Sequence, residues 1–473
     1  MKYYLSLIVV LTAFFSCKKD HHNSDVTYAY IGGEIINPNT NYVVLSKGQT
    51  LLDTVKLNGA NRFIYKVKNL NGGIYTFKHG IENQLILLEP KDSVFFRLNT
   101  LDFDESLVFT GKGDKKNNYL INDFLDHEKE EKHIYRLCQL SSTDYEKHID
   151  SIKTSKEIAL SKFISRYNPS PLFIKIAEAN INYSYYSYKE VYPFAHHGKN
   201  KVENLESLPS NFYNYRKHIN YNDTFFSDYH NYRSFLRHNI SNLALKTHTN
   251  HDLCKTHKEN AFCYNLDRLK LVDSLVDNGT IKDDLLYHFT LKYLSKNDNE
   301  ENNTTILNYF LSKSANEDEK GRMTKYAQSI HRLKDGSNLP LVNLVDYKNH
   351  NIELNTLINK PTVITFWSNV YYQHFKESHY KLKELKVKYP EVEFISINVD
   401  DYGIQKSKKL LETLHFDDSK EYQFQNSKVA SEKLIIYPIT KVIIVDEDKK
   451  IVDSNANIFS LRFEDELLGL INR

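Results

Sequence analysis

No run in this sequence approaches the ~18 consecutive apolar residues that a membrane-spanning helix needs, so no transmembrane span is expected. Charge of one sign is not in excess either. There are 62 basic and 60 acidic residues, a net charge of +2. That balance supplies no field for a polyanion, and nucleic acid is not expected as a partner. Glycine is sparse at 15, with two methionines and a single tryptophan. There is no phosphate-cradling Gly-rich loop, no Ser nucleophile elbow and no His-Glu-x-x-His helix. No cofactor is expected. Cysteine is the most telling shortage. The chain has Cys17, Cys138, Cys254 and Cys263 and none afterwards. Residues 264–473 therefore cannot offer a thiolate, the nucleophile of disulfide exchange.

What is present is enough to fold. A chain of 473 residues with 41% hydrophobic and 13% aromatic content suggests about two to four domains with cores of their own. The runs along the chain, taken in order below, predict a multidomain α+β protein.

The N-terminus points to export. Met1-Lys2 is a short basic start, and Leu5 to Ser16 is an apolar run of signal-sequence length, too short to span a bilayer. Ser16-Cys17 follows, and then the chain turns polar at Lys18-Lys19-Asp20. A small residue before one early cysteine resembles the cleavage box of bacterial lipoproteins, with Phe14 standing where Leu is preferred. The resemblance implies a signal peptide over 1–17, a lipidated Cys17 and a polar tether over 18–27. It makes membrane lipid a partner through Cys17 and places the protein in the cell envelope, facing the periplasm or the outside. The alternative is an ordinary signal with an incidental Cys17. With Cys17 lipidated, three cysteines remain, so at least one is free or bridged to another chain. Cys254 and Cys263 are a candidate disulfide across a short loop; two unpaired thiols are the other reading.

Three further regions follow. Over 28–114, short strand-like runs such as Ile31–Ile36, Tyr42–Leu45, Leu51–Leu57, Phe63–Val67, Gly73–Phe77 and Ser93–Leu98 are separated by Asn, Gly, Pro and Asp turn signals. They predict a small antiparallel β-sandwich. Over 115–335, apolar residues recur at spacings of three and four, which predicts a central helical region broken at Pro169, Pro171, Pro193 and Pro209. Within it, Tyr183, Tyr185, Tyr186, Tyr188 and Tyr192 read as helix packing or as a surface for sugars or partners. His248, His251, Cys254 and His257 step by three, which drifts by about 60° per step around a helix. The four do not share a face, and no metal site is expected.

Over 338–473, strand and helix alternate. Phe366-Trp367-Ser368-Asn369-Val370-Tyr371-Tyr372-Gln373-His374 resembles the strand-to-helix turn of thioredoxin-like domains, Phe-Trp-Ala-x-Trp-Cys-x-x-Cys. The order of elements is similar to that of the TlpA/ResA-like branch, as found in lipoproteins of the Bacteroidetes. On that pattern Tyr371 and His374 hold the two cysteine positions. Tyr437-Pro438-Ile439-Thr440 resembles the family's cis-proline segment, with Ile439 inserted. The resemblance implies a C-terminal thioredoxin-like α/β domain and a groove formed by Trp367, Tyr371, His374, Tyr437 and Pro438, where an extended peptide or an envelope protein binds. It implies a binding or scaffolding role without redox catalysis. The alternative is a thiol-disulfide oxidoreductase acting through Cys138, Cys254 or Cys263, or through a partner's thiol.

Overall fold

The computed structural model describes residues 28–471 apart from 49, 81, 198–199, 249–260, 298, 370, 402, 437–438 and 461–462. Cys17, Cys254, Tyr437 and Pro438 lie outside the described residues, as do the tether and most of the His248–His257 cluster. The described chain is mixed α/β, with fifteen strands in three sheets. It divides into two compact units. One comprises the residues up to His79 together with Asn83–Ile121; the other comprises Gly80–Glu82 and Asn122–Arg473.

The first unit holds two four-stranded sheets. In one, β1 (Ala29–Ile36) lies between β4 (Arg62–Val67) and β7 (Ser93–Asn99), with β8 (Val108–Lys112) at the edge beyond β7. In the other the order is β3 (Thr50–Lys56), β2 (Tyr42–Lys47), β5 (Gly73–His79) and β6 (Glu82–Leu88). Residues along β5 alternate between buried and more exposed, the pattern of a strand with one face on a core. Phe77 of β5 and Phe96 of β7 stack at 4.3 Å between centroids and join the two sheets. Gly32 and Gly33 are required by this closeness. A Cβ at Gly32 would lie 2.7 Å from the Phe63 carbonyl oxygen, and one at Gly33 2.8 Å from the Phe96 ring.

The expected all-antiparallel pairing is corrected at one place: β1 and β7 run parallel, from Tyr30↔Ser93 to Ile36↔Asn99. Short turns produce antiparallel neighbours only between consecutive strands. Here the chain visits β5 and β6 in the other sheet before returning beside β1.

The second unit begins with helices. They are α1 (Asp114–Leu137, whose first turns belong to the first unit), α2 (Ser142–Tyr167), α3 (Pro171–Ala195), α4 (Lys201–Glu206), α5 (His230–His248), α6 (Phe262–Leu275), α7 (Gly279–Leu294), α8 (Glu300–Lys313) and α9 (Glu317–Arg332). The Asn-rich composition has a local role here. Asn278, Asn299 and Asn316 each cap a helix, accepting from Ile281 N, Asn302 N and Glu319 N. Ser170 caps α3, with Pro171 in the first turn, where its missing N–H costs nothing. Pro193 does not break the helix as expected; it sits in the last turn of α3. The Lys189 carbonyl, four residues earlier, has no N–H to receive from Pro193. The Tyr213 hydroxyl reaches it instead, at 3.5 Å.

The tyrosines of α3 pack between helices. Tyr186 stacks on Tyr215 at 4.3 Å, and Tyr183 meets Tyr232 and Phe235. Glu190, fully buried, accepts from Tyr215 Oη at 2.6 Å, Asn239 Nδ2 at 2.7 Å and the Arg216 guanidinium. These donors on one buried carboxylate make it a satisfied structural hub.

The remaining elements build one seven-stranded sheet in the order β10 (Asn351–Glu353), β9 (Asn343–Asp346), β13 (Glu421–Phe424), β12 (Glu393–Asn398), β11 (Thr362–Trp367), β14 (Val442–Val445) and β15 (Ile451–Ala456). Strands β11, β12 and β13 are mutually parallel. The terminal strands β14 and β15 run antiparallel. Helices α10 (Tyr372–Lys388), α11 (Ile404–Thr413), α12 (Ser427–Leu434) and α13 (Phe463–Ile471) connect and cover them. All six residues of β11 are buried, as a strand flanked on both faces requires. Leu333 is buried in the core on one face of this sheet, and Tyr326 and Ile330 of α9 pack against that core.

Candidate functional site

The turn after β11 is held from below. Ser368 Oγ donates to Asp400 Oδ1 at 2.6 Å. The Asn369 backbone N–H and Nδ2 donate to Asp400 Oδ2 at 2.6 and 2.8 Å, and Asn369 Nδ2 also meets Ser407 Oγ at 3.0 Å. Burial pushes the Asp400 carboxyl above the ordinary range, and these donors oppose that push. The Asp400 carbonyl is tied in turn by Gln423 Nε2 and Ser427 Oγ. The turn is therefore fixed to β13 and α12 by a chain of buried polar contacts.

Beneath it lies a second buried group. Trp367 Nε1 donates to Glu421 Oε2 at 3.0 Å. His379 Nε2 lies 3.3 Å from Glu421 Oε1, at an angle that makes no hydrogen bond, while its Nδ1 donates to the Phe375 carbonyl at 2.7 Å. Trp367, Phe375, His379 and Glu421 are each nearly inaccessible to solvent. The Trp367 and Phe375 rings lie 4.6 Å apart. Trp367, named above for the groove, also reads as core from its apolar strand, and His379, Asp400 and Glu421 carry no sequence signal that singles them out. Trp367 is a core residue.

Tyr371 stands at the N-cap of α10, and its carbonyl accepts the first helical hydrogen bond from Phe375 N at 2.8 Å. Its side chain makes no capping bond and is exposed, at 49%. His374, one turn on, is half-buried. Burial pushes its imidazole below the ordinary range, helped by His379 and opposed by Glu377. Its Nδ1 is buried without a partner among the described residues, and its ring meets exposed Phe459 edge-on at 6.1 Å. The structure thus brings Tyr371 and His374 together at a helix N-terminus and sets Phe459 beside His374. A phenol and a neutral imidazole at this place can form hydrogen bonds and pack, but they cannot carry a disulfide.

Among the described residues, two cysteines lie elsewhere in the chain. Cys138 is free and fully buried among Ile134, Tyr145, Tyr188 and Tyr192. Burial pushes its thiol up to about 11, so almost none of it is thiolate at neutral pH. Cys263 is disulfide-bonded. The expected partner position, Cys254, lies outside the described residues.

Three residues after Pro438 in the sequence, Lys441 is buried and donates Nζ to the Leu434 carbonyl at 2.9 Å. Burial pushes its ammonium down to about 7. The folded state resists the charged form, so the cost is full below that value and fades as pH rises toward the ordinary lysine range. Lys441→Met is expected to exceed wild type in stability by about 3 kcal/mol at pH 6, with the gap closing toward pH 10. Urea midpoints of both proteins at the two pH values check this; a gap that does not change with pH would refute it.

No family model and no curated protein matches this chain. Among solved structures, the thioredoxin domain of a thiol-disulfide oxidoreductase from Bacteroides vulgatus is similar at 23% identity. The match covers 30% of this chain and 96% of that one, with a TM-score of 0.24. A thiol:disulfide interchange protein from a Bacteroides species is similar at 23% identity, over 26% of this chain and 80% of that one, with a TM-score of 0.22.

Proposed function

We propose that this chain is a cell-envelope protein, anchored by lipid on Cys17, whose thioredoxin-like domain binds or scaffolds an envelope protein or extended peptide and does not exchange disulfides. One observation supports the reading: Tyr371 stands at the N-cap of α10 with His374 in its first turn, where the resemblance to thioredoxin-like domains would put the attacking and resolving thiols. The buried Cys138 and the bonded Cys263 support it, since neither offers a thiolate to a substrate. Exposed Tyr371, and exposed Phe459 against the half-buried His374 ring, provide apolar surface with a polar edge, the chemistry of an interface anchor. The polar networks under the turn hold that surface in one conformation.

Purification of the full chain from its native envelope, as wild type and as Tyr371→Asp, tests the proposal. The wild type is expected to retain a co-purifying partner that the variant loses, while Cys17→Ala moves the protein to the soluble fraction. Identical partners for wild type and Tyr371→Asp would refute the assignment of the binding surface.

A further inference from the structure

The second unit holds a cavity of about 920 Å³ between the end of α7, helices α8 and α9, and β15. Its size is that of a small-molecule site. Neither Tyr371 nor His374 lines it. Much of its wall is uncharged and polar, from Asn297, Asn303, Thr304, Gln328 and Ser454. Of the charged groups in the wall, Glu300 and Lys334 pair with each other at 3.1 Å. Asn303 donates Nδ2 to the Asn297 carbonyl at 2.8 Å, while its Oδ1 is buried with no hydrogen-bond partner among the described residues. An acceptor left open in a cavity wall is a place for a donor from an occupant.

One group in the wall is a nucleophile. Lys441 immediately precedes β14, and strand alternation puts its side chain on the same face as Ile443 and Val445, whose core packs against Tyr326 and Ile330 of α9. It is 5% exposed and lines the cavity. One N–H of its Nζ goes to the Leu434 carbonyl. Asp453, also in the wall, attracts its charge through space and not by a hydrogen bond, and burial outweighs that attraction. With its pKa pushed down to about 7, about half of the amine carries a free lone pair at pH 7, where an ordinary lysine is almost wholly protonated. Such an amine has little pull on an anion; its lone pair calls for an electrophilic carbon.

We infer that this cavity binds a small hydroxylated aldehyde, held as an imine on Lys441 Nζ with a hydroxyl donating to Asn303 Oδ1. The nitrogen lone pair adds to the carbonyl carbon, the carbonyl oxygen leaves as water with both amine hydrogens, and C=N replaces C=O without oxidation or reduction. Once the imine takes up a proton, Asp453 is its counter-charge.

Incubation of the full chain at pH 7 with glyceraldehyde and cyanoborohydride, which reduces an imine to a stable secondary amine, tests this, with the labelled lysines mapped by peptide mass spectrometry. Lys441 is expected to label at least about tenfold faster than exposed Lys348, and its lead should shrink toward pH 10 as ordinary lysines lose their protons. The rate at Lys441 should saturate with aldehyde concentration. Propionaldehyde, which has no hydroxyl, should need about fivefold more for half-saturation, the value of one hydrogen bond, and Asn303→Leu should erase that difference. Labelling of Lys441 no faster than that of Lys348 would overturn the inference, as would a rate that stays linear in aldehyde, or equal half-saturation by the two aldehydes. These three readouts use the wild-type chain, so they stand whether or not Asn303→Leu folds.

Discussion

Replacing Glu421 with Ala is expected to lower unfolding stability by about 3 kcal/mol, the cost of removing one member of a buried polar pair. The residue is 2% exposed and accepts the Trp367 indole N–H at 3.0 Å. Alanine would leave that N–H buried with no acceptor and open a void beside His379. Both penalties act on the strand that delivers the Tyr371 turn. Glu421→Gln keeps an acceptor for Trp367 and the approximate volume, so it should recover more than half of the loss. Chemical denaturation followed by the fluorescence of Trp367, the sole tryptophan, reads the effect directly. A loss under about 1 kcal/mol for Glu421→Ala, the range of an exposed polar contact, would mean that this network does not hold the site.

Tyr371→Cys combined with His374→Cys is expected to create redox chemistry at the start of α10. The two positions are the N-cap and the third residue of α10, the spacing of a Cys-x-x-Cys turn. Free N–H groups and the helix dipole favour a thiolate at the first of them. The thiol introduced at that first position should therefore titrate below its free value of about 8.5, and the pair should close to a disulfide in air. The hydrogen bonds from Ser368 and Asn369 to Asp400 do not involve either substituted side chain, so the turn should keep its geometry. Alkylation rate against pH and mass spectrometry of the oxidised protein measure the two quantities. A folded double variant with no disulfide and an ordinary thiol pKa would remove Tyr371 and His374 from the active-site position.

Parts of this arrangement were legible in the sequence. Thr362–Trp367 is apolar enough to read as a strand buried on both faces, and the helix after it follows from the turn. The strand β13 was not legible. Glu421-Tyr422-Gln423-Phe424 alternates polar with aromatic, as a half-exposed strand does, yet all four residues are buried. The reason is tertiary: Glu421 serves Trp367, and Gln423 serves the Asp400 carbonyl. Strand β6 was missed although Leu85-Ile86-Leu87-Leu88, closed by Glu89-Pro90, carries a strand signal. The parallel pairing of β1 with β7 had no local signal at all, because turn chemistry speaks only to neighbouring strands.

The central claim is that the thioredoxin-like domain does not exchange disulfides, and insulin reduction by the chain from residue 18 onward tests it most directly. With dithiothreitol as the electron source, the wild-type rate is expected to equal the uncatalysed background, because Tyr371 and His374, at the start of α10, carry no thiol. Turnover within about tenfold of a thioredoxin control, a barrier difference of only about 1.4 kcal/mol, would contradict the account.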